Sequence, residues 1–232
     1  MKPTFLYHLL TLALLLCGMV MPSLQAQPYK NPSLSPEERT ADLLQRMTLE
    51  EKIAQIRHIH SWNIFEEQEL NKSKLQEFVG DLCWGFVEGF PLTGENCHRH
   101  MRHIQEYMLN HTRLGIPIFT VAEALHGSVH EGSTIYPQNI ALASTFNPEL
   151  AYLRATEISK ELHYQGINQI LAPCIDVVRD LRWGRIEESY GEDPYLNGIF
   201  AYKEAKGYLD NGISPMLKHY GAHGNPLGGL NL

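Results

Sequence analysis

No cluster of lysine and arginine interrupts this sequence. Its 232 residues hold 19 Lys+Arg against 26 Asp+Glu, a net charge of −7. A mildly acidic chain without a basic patch lacks the electrostatic footprint of a nucleic-acid binder. Internal repeats and low-complexity tracts are also missing. With 44% hydrophobic and 19% charged residues the composition is globular, which excludes a disordered or collagen-like chain. Cysteine is scarce: four residues, one of them Cys17 in an apolar N-terminal stretch. The remaining Cys83, Cys97 and Cys174 are odd in number and allow at most one bridge, so the fold must stand on its core rather than on disulfides.

Long hydrophobic runs are limited to the start. Lys2 is the only charge in the first 29 residues, and an apolar run follows from Leu9 to Met21. A basic start, a hydrophobic stretch and the small residue Ala26 form the layout of a secretory signal peptide over residues 1–26. The run is shorter than the ~20 residues that cross a bilayer, so cleavage is expected rather than a stable membrane span. The protein is therefore expected to be exported, to a periplasm or the extracellular space.

What is there, from residue 27 to 232, alternates. Ser35-Pro36-Glu37-Glu38 predicts a helix start, and Thr48-Leu49-Glu50-Glu51 predicts a second one behind a capping box. Trp84 to Val87 reads as a short buried strand and Glu95 to Asn110 as a helix. Gly115 to Val121, Ile167 to Ile175 and Ile213 to Leu217 are apolar β-type runs. Between them lie amphipathic helices, one from Asn147 closed by Gly166, one from Asp193-Pro194 to Asn211-Gly212. Apolar strands separated by helices predict a parallel sheet buried on both faces. Each β-run ends in polar groups: Glu123 and His126, then Asp176 and Arg179, then Lys218 and His219. Sites of α/β folds and barrels form at such carboxyl ends.

The densest polar segment is Asp176 to Pro194. Its arginines and carboxylates can pair, and its glycines let the backbone turn sharply. Such a loop either holds hydroxylated ligands or is a structural ion-pair knot. Asp176, Glu187, Glu188, Glu192 and Asp193 are read as anions fixed by pairing, and Arg182 as acting through loop order.

Four segments together resemble glycoside hydrolase family 3. They are Met47-Thr48-Leu49-Glu50-Glu51-Lys52-Ile53, Glu123-Ala124-Leu125-His126-Gly127, Arg182 to Pro194, and Lys218-His219-Tyr220, in that family's order. The resemblance runs from about Pro36 to the last residue. It implies a (β/α)8-type, TIM-like barrel domain, here incomplete at the C-terminus. It implies an exo-acting β-glycosidase working with retention on a terminal non-reducing sugar of an oligosaccharide or glycoside, with no cofactor or metal. A β-glucosidase is the first expectation and a β-xylosidase the alternative; a non-catalytic sugar-binding module is the alternative of another class. Carried over by motif, Glu123 accepts from the sugar hydroxyls, Arg185 binds the sugar, and Lys218 and His219 grip the same ring. A carboxylate opposed by Arg, Lys and His donors suits fanned hydroxyls.

Retaining hydrolysis needs a nucleophile and an acid/base about 5–5.5 Å apart. The family's nucleophile is an aspartate on a later strand, commonly followed by tryptophan, and none of Trp62, Trp84 and Trp183 follows an aspartate. No catalytic residue is therefore assigned, and both carboxylates are expected beyond residue 232. A full barrel takes ~250 residues, so about five strand–helix units are expected here. Hydrolysis by these residues alone is not expected.

Twelve histidines prompt a search for metal spacing. Cys97, His100 and His103 have a usable helical spacing, but Arg99 and Arg102 interleave, and a solvated helix face is the preferred reading. His126, His130 and His223 are candidates for a pocket mouth or for satisfied loop positions. The glycosylation triplets at Asn71 and Asn110 are read as chance matches.

Overall fold

A computed structural model of the chain describes residues 27–88, 93–220 and 223–225. The expected signal peptide lies outside them. The chain divides into two compact units, one ending at Leu49 and one beginning at Glu50. In the first, a 3-10 turn at Pro28–Lys30 precedes helix α1, Pro36–Arg46. The Ser35 hydroxyl accepts from the Glu38 amide while the Glu38 carboxylate accepts from the Ser35 amide. This reciprocal cap satisfies two amides that the helix itself leaves open. The Tyr29 amide donates to Asp42 at 3.1 Å and Arg39 donates to the Tyr29 carbonyl at 2.8 Å, folding the turn onto the helix.

Helix α2, Leu49–Gln55, starts at the boundary and in the second unit leads into strand β1, His58–His60. A short helix α3, Ser61–Ile64, a hairpin of β2, Phe65–Glu66, with β3, Glu69–Leu70, and helix α4, Lys72–Val79, come next. Strand β4, Phe86–Glu88, helix α5, Gly94–His111, and strand β5, Phe119–Ala122, follow. After helices α6, Asn139–Ala143, and α7, Glu149–Gln165, come strand β6, Gln169–Ile170, helix α8, Pro194–Asp210, and strand β7, Ser214–Pro215. β1, β4, β5, β6 and β7 form one parallel sheet in chain order. Among the described residues the sheet does not close on itself: the molecule is α/β, an open run of five parallel strands with helices between them.

Burial explains the arrangement. Ile59, Val87, Ile118, Ile170 and Ile213 of the sheet region share a core with Met101, Ile104 and Met108 of α5 and Ile158 and Leu162 of α7. Each such side chain contributes roughly 1.5–3 kcal/mol on burial. Helix α7 ends at Gly166, whose φ of +76 is the left-handed conformation that a glycine accepts without penalty. Asp193 caps α8 by accepting from the Leu196 amide at 2.7 Å.

Two departures from the sequence reading lie in the sheet. Strand β1 was not anticipated: it has a single buried isoleucine between two histidines, so no apolar run announces it. The run Ile167 to Ile175 is also broken, because Pro173 has no amide to donate to a ladder. Pairing stops at Ile170 and returns as one bridge between Cys174 and Lys218.

Candidate functional site

The sheet delivers its polar residues where parallel strands end. Glu123 follows β5, Asp176 lies just past the Cys174 bridge, and Lys218 and His219 follow β7. Glu123 and Lys218, 95 positions apart, meet there: Nζ donates to the two carboxylate oxygens at 3.0 and 2.8 Å. The lysine side chain is 11% exposed and the glutamate 43%. A carboxylate offers about four acceptor positions and an ammonium three donors, so the pair keeps capacity for hydroxyl groups. The Lys218–His219 peptide is cis.

His219 has another partner. Its Nδ1 lies 2.6 Å from Asp176 Oδ2. Asp176 is buried and also accepts the His223 amide at 2.7 Å and the Cys174 thiol at 3.2 Å. Burial opposes ionisation, but the bonds from His219, His223 and Cys174 outweigh it and hold the carboxyl below its usual range. Asp176 is thus a fixed anion, as expected, though its partner is His219 and not an arginine of the loop. Its backbone carbonyl accepts the Ser189 hydroxyl at 2.6 Å and the Asn197 amide at 3.0 Å.

Arg185 makes a two-pronged pair with Glu188, 2.7 Å at Nε and 2.6 Å at Nη2. The Glu188 carboxylate raises the Arg185 pKa against an opposing effect of burial, with Cys174 and Glu123 adding in the same direction as Glu188. The loop that carries Arg185 is anchored by buried Trp183, which clusters with Cys174 and Val178, and Leu125 packs against them. Arg182 differs from expectation. It is 69% exposed and pairs only two residues back, with Asp180, lowering that carboxyl to about 2. With its guanidinium this exposed, the arginine adds little to loop order through the pair.

Cys174, Asp176 and His219 present metal-ligating atoms within 4.8 Å of one another. Burial pushes the Cys174 thiol up to about 12, so it keeps its proton and donates it to Asp176. The trio is a hydrogen-bonded anchor. Cys97 and His100 are not solvated as expected but buried. Cys97, Met101, Ile104 and Met108 form the inward stripe of α5, and His100 lies beside it. Cys97 Sγ meets His130 Nε2 at 3.3 Å, while His100 stands edge-on to Phe65, so the two face separate partners. His130 is likewise buried, bonded to Ser128 at 2.7 Å, and does not line a mouth. His223 does reach the site, edge-on to the His219 ring at 4.3 Å.

Ser189 and Asn197 escaped the sequence reading. The available signal was an asparagine inside a helix that buries its side chain, since a buried amide requires partners.

Residues 48–231 match the Glycosyl hydrolase family 3 N terminal domain. A periplasmic beta-glucosidase of Salmonella typhimurium is 32% identical over 221 residues, 90% of this chain and 27% of that protein. A xylan 1,4-beta-xylosidase of Xylanibacter ruminicola is 28% identical over 240 residues, 94% of this chain and 22% of that protein. The solved structure of a β-glucosidase from Erythrobacter marinus superposes with a TM-score of 0.78 at 30% identity, covering 89% of this chain and 28% of that one. This chain thus spans about a quarter of the length of these relatives, over the region that carries Glu123, the arginine loop and the Lys218-His219 pair. The motifs, the parallel sheet and the family match agree: the chain belongs to glycosyl hydrolase family 3, through that family's N-terminal domain.

Proposed function

We propose that these residues grip the terminal sugar in an exported, exo-acting, retaining β-glycosidase, with a β-glucoside as the first substrate. The observation that carries this reading is the Glu123–Lys218 pair. Two strand ends far apart in the chain bring one acceptor carboxylate and one buried ammonium to the same point, with donors from Arg185 and His219 in adjoining segments. Opposed acceptors and donors of this kind fit a ring with hydroxyls on several sides. The nucleophile and acid/base are proposed to come from elsewhere in the protein. The carboxylates near the site support this: Asp176, Glu188 and Asp193 each hold a structural partner. Export is supported by the signal-like start of the sequence and by the periplasmic relative. A β-xyloside is the second reading, favoured by the xylosidase among the relatives.

The test is the purified chain with p-nitrophenyl β-glucoside and β-xyloside. Saturable binding without nitrophenol release, glucoside tighter than xyloside, is the expected result. Tighter binding of xyloside reverses the order of the two substrates. Sustained turnover abolished by substituting Asp176, Glu187, Glu188 or Asp193 would move the chemistry into this chain and overturn the division of labour.

A further inference from the structure

The first two strands of the sheet carry a group of side chains that the sugar site does not use. His58 and His60 alternate with buried Ile59, so both imidazoles stand on one face of β1. Glu88 of β4 is the register partner of His60 and joins them on that face. His58 Nε2 lies 2.7 Å from His60 Nε2 and 3.4 Å from Glu88 Oε1, and the same oxygen is 3.1 Å from His60 Nδ1.

We propose that His58, His60 and Glu88 bind one divalent transition-metal ion of the zinc type, joining β1 to β4. Ligands about 2.0–2.2 Å from a tetrahedral zinc ion stand roughly 3.3–3.5 Å apart, close to the two separations measured to Glu88. The 2.7 Å contact between the imidazoles involves the other nitrogen of His60, Nε2, so His60 ligates through Nδ1 and His58 Nε2 exchanges that hydrogen bond for the ion; one ligand atom from each of the three residues lies within 4.8 Å of the others. Two imidazoles and one carboxylate form a donor set suited to zinc and its neighbours.

Hydrogen bonding accounts for one part of the geometry, the 2.7 Å contact of His58 Nε2 with His60 Nε2. His60 Nδ1 is buried and makes no hydrogen bond, although Glu88 Oε1 is only 3.1 Å away. The oxygen sits near the nitrogen but not in line with an N–H. A buried nitrogen and a carboxylate oxygen that converge without bonding to each other are arranged for a third party between them. In the Cys174–Asp176–His219 trio, by contrast, each contact is a formed hydrogen bond. The surroundings favour a cation as well. Arg57, the nearest positive charge along the strand, stacks over Trp84 at 4.2 Å instead of facing the group. The His60 ring lies flat against Trp62 at 3.8 Å and 13°, which fixes its orientation before an ion arrives. Three protein ligands leave a fourth position for water. Glu88 is also in register with Val121, two residues before Glu123, so the ion would sit one strand away from the sugar acceptor.

The 232-residue chain is dialysed against zinc, and bound metal is counted by mass spectrometry. One zinc per chain is expected, with affinity lowered at least ~100-fold in both Glu88→Gln and His60→Ala, because loss even of outer partners costs 10–100-fold. Cys174→Ser and His103→Ala retain the ion, and circular dichroism is compared throughout. No stoichiometric zinc overturns the proposal. So does zinc that persists in the Glu88 and His60 variants, or that is lost in Cys174→Ser, which would assign it to the other trio. If the Glu88 and His60 variants unfold, the cobalt-loaded wild-type chain decides. Visible bands without thiolate charge transfer support the site, and a thiolate band refutes it.

Discussion

Replacing Lys218 by methionine removes a charge while keeping most of the side chain's stem. The ammonium bonds both oxygens of Glu123, and the lysine is nearly buried whereas the glutamate is 43% exposed. An exposed ion pair contributes ~0–1 kcal/mol, and breaking a fully buried one costs ~3–5 kcal/mol. This pair lies between those limits, because Glu123 can regain water once its partner is gone. A destabilisation of about 1–2 kcal/mol is expected for Lys218→Met. With a urea slope of about 2 kcal/mol per molar, the unfolding midpoint falls by about 0.5–1 M. A double-mutant cycle with Glu123→Gln isolates the pair, with an expected coupling of about 1 kcal/mol. Sugar affinity is a separate readout. A hydrogen bond to a charged group contributes ~1.5–3 kcal/mol, so loss of this donor weakens glucoside binding by about 10- to 150-fold. A coupling of zero within error would refute the ion pair. An unchanged glucoside Kd in a folded Lys218→Met chain would remove the lysine from the sugar site.

Three further outcomes follow from the geometry. Gly207→Ala places a methyl carbon 2.7 Å from the Tyr152 carbonyl oxygen and 2.8 Å from Ala155 Cβ, where α7 meets α8; a loss of about 1–3 kcal/mol is expected in thermal unfolding, and a wild-type melting temperature would show that the helices part freely. The Asp176 pKa is depressed by folding, so its contribution is full above the unfolded value near ~3.9 and fades as pH falls through the folded value. The stability gap between wild type and Asp176→Asn should therefore shrink as urea titrations move from pH 6 towards pH 3, and a gap that widens on acidification contradicts the assignment. Cys97 and Cys174 are buried and pushed up to about 12, so iodoacetamide should leave both untouched in the folded chain and modify them in urea. Rapid labelling of either one without denaturant would show an opening that this structure does not contain.

The sequence exposed those parts of the fold that depend on local chemistry. Pro36 behind Ser35, Pro194 behind Asp193 and Gly166 after α7 each mark a helix end by a property of one residue, and each boundary is observed within about two residues. The carboxyl-end rule also brought out Glu123, Asp176, Lys218 and His219, because a parallel sheet sends its loops to one side. What could not be read was partner choice. Nothing in the order of residues says that His219 pairs with Asp176 rather than with Glu123, or that Asp176 is held from the far side of the chain. Those contacts join positions 43 or more residues apart and exist only once β6 and β7 lie side by side. Strand β1 escaped for the opposite reason. Its signal is too local, one isoleucine between polar neighbours, and pairing with β4 supplies the rest.

Asp176 has a consequence for how this protein can change. Its carboxylate holds His219 and His223, and its carbonyl holds Ser189 and Asn197, so one residue fastens the loop that bears Arg185 to the segment that bears Lys218. Specificity in such a site cannot be tuned one loop at a time. A substitution that shifts the arginine loop drags on the carbonyl side of the clasp and reaches the imidazole on the other. Effects of paired substitutions across it should depart from the sum of the singles, since residues in one bonded network couple. A recombinant enzyme that takes its arginine loop from one relative and its Lys-His segment from another should work only when both come with a matching aspartate. Helix α8 between the two segments belongs to the same clasp, because its Asn197 holds the Asp176 carbonyl.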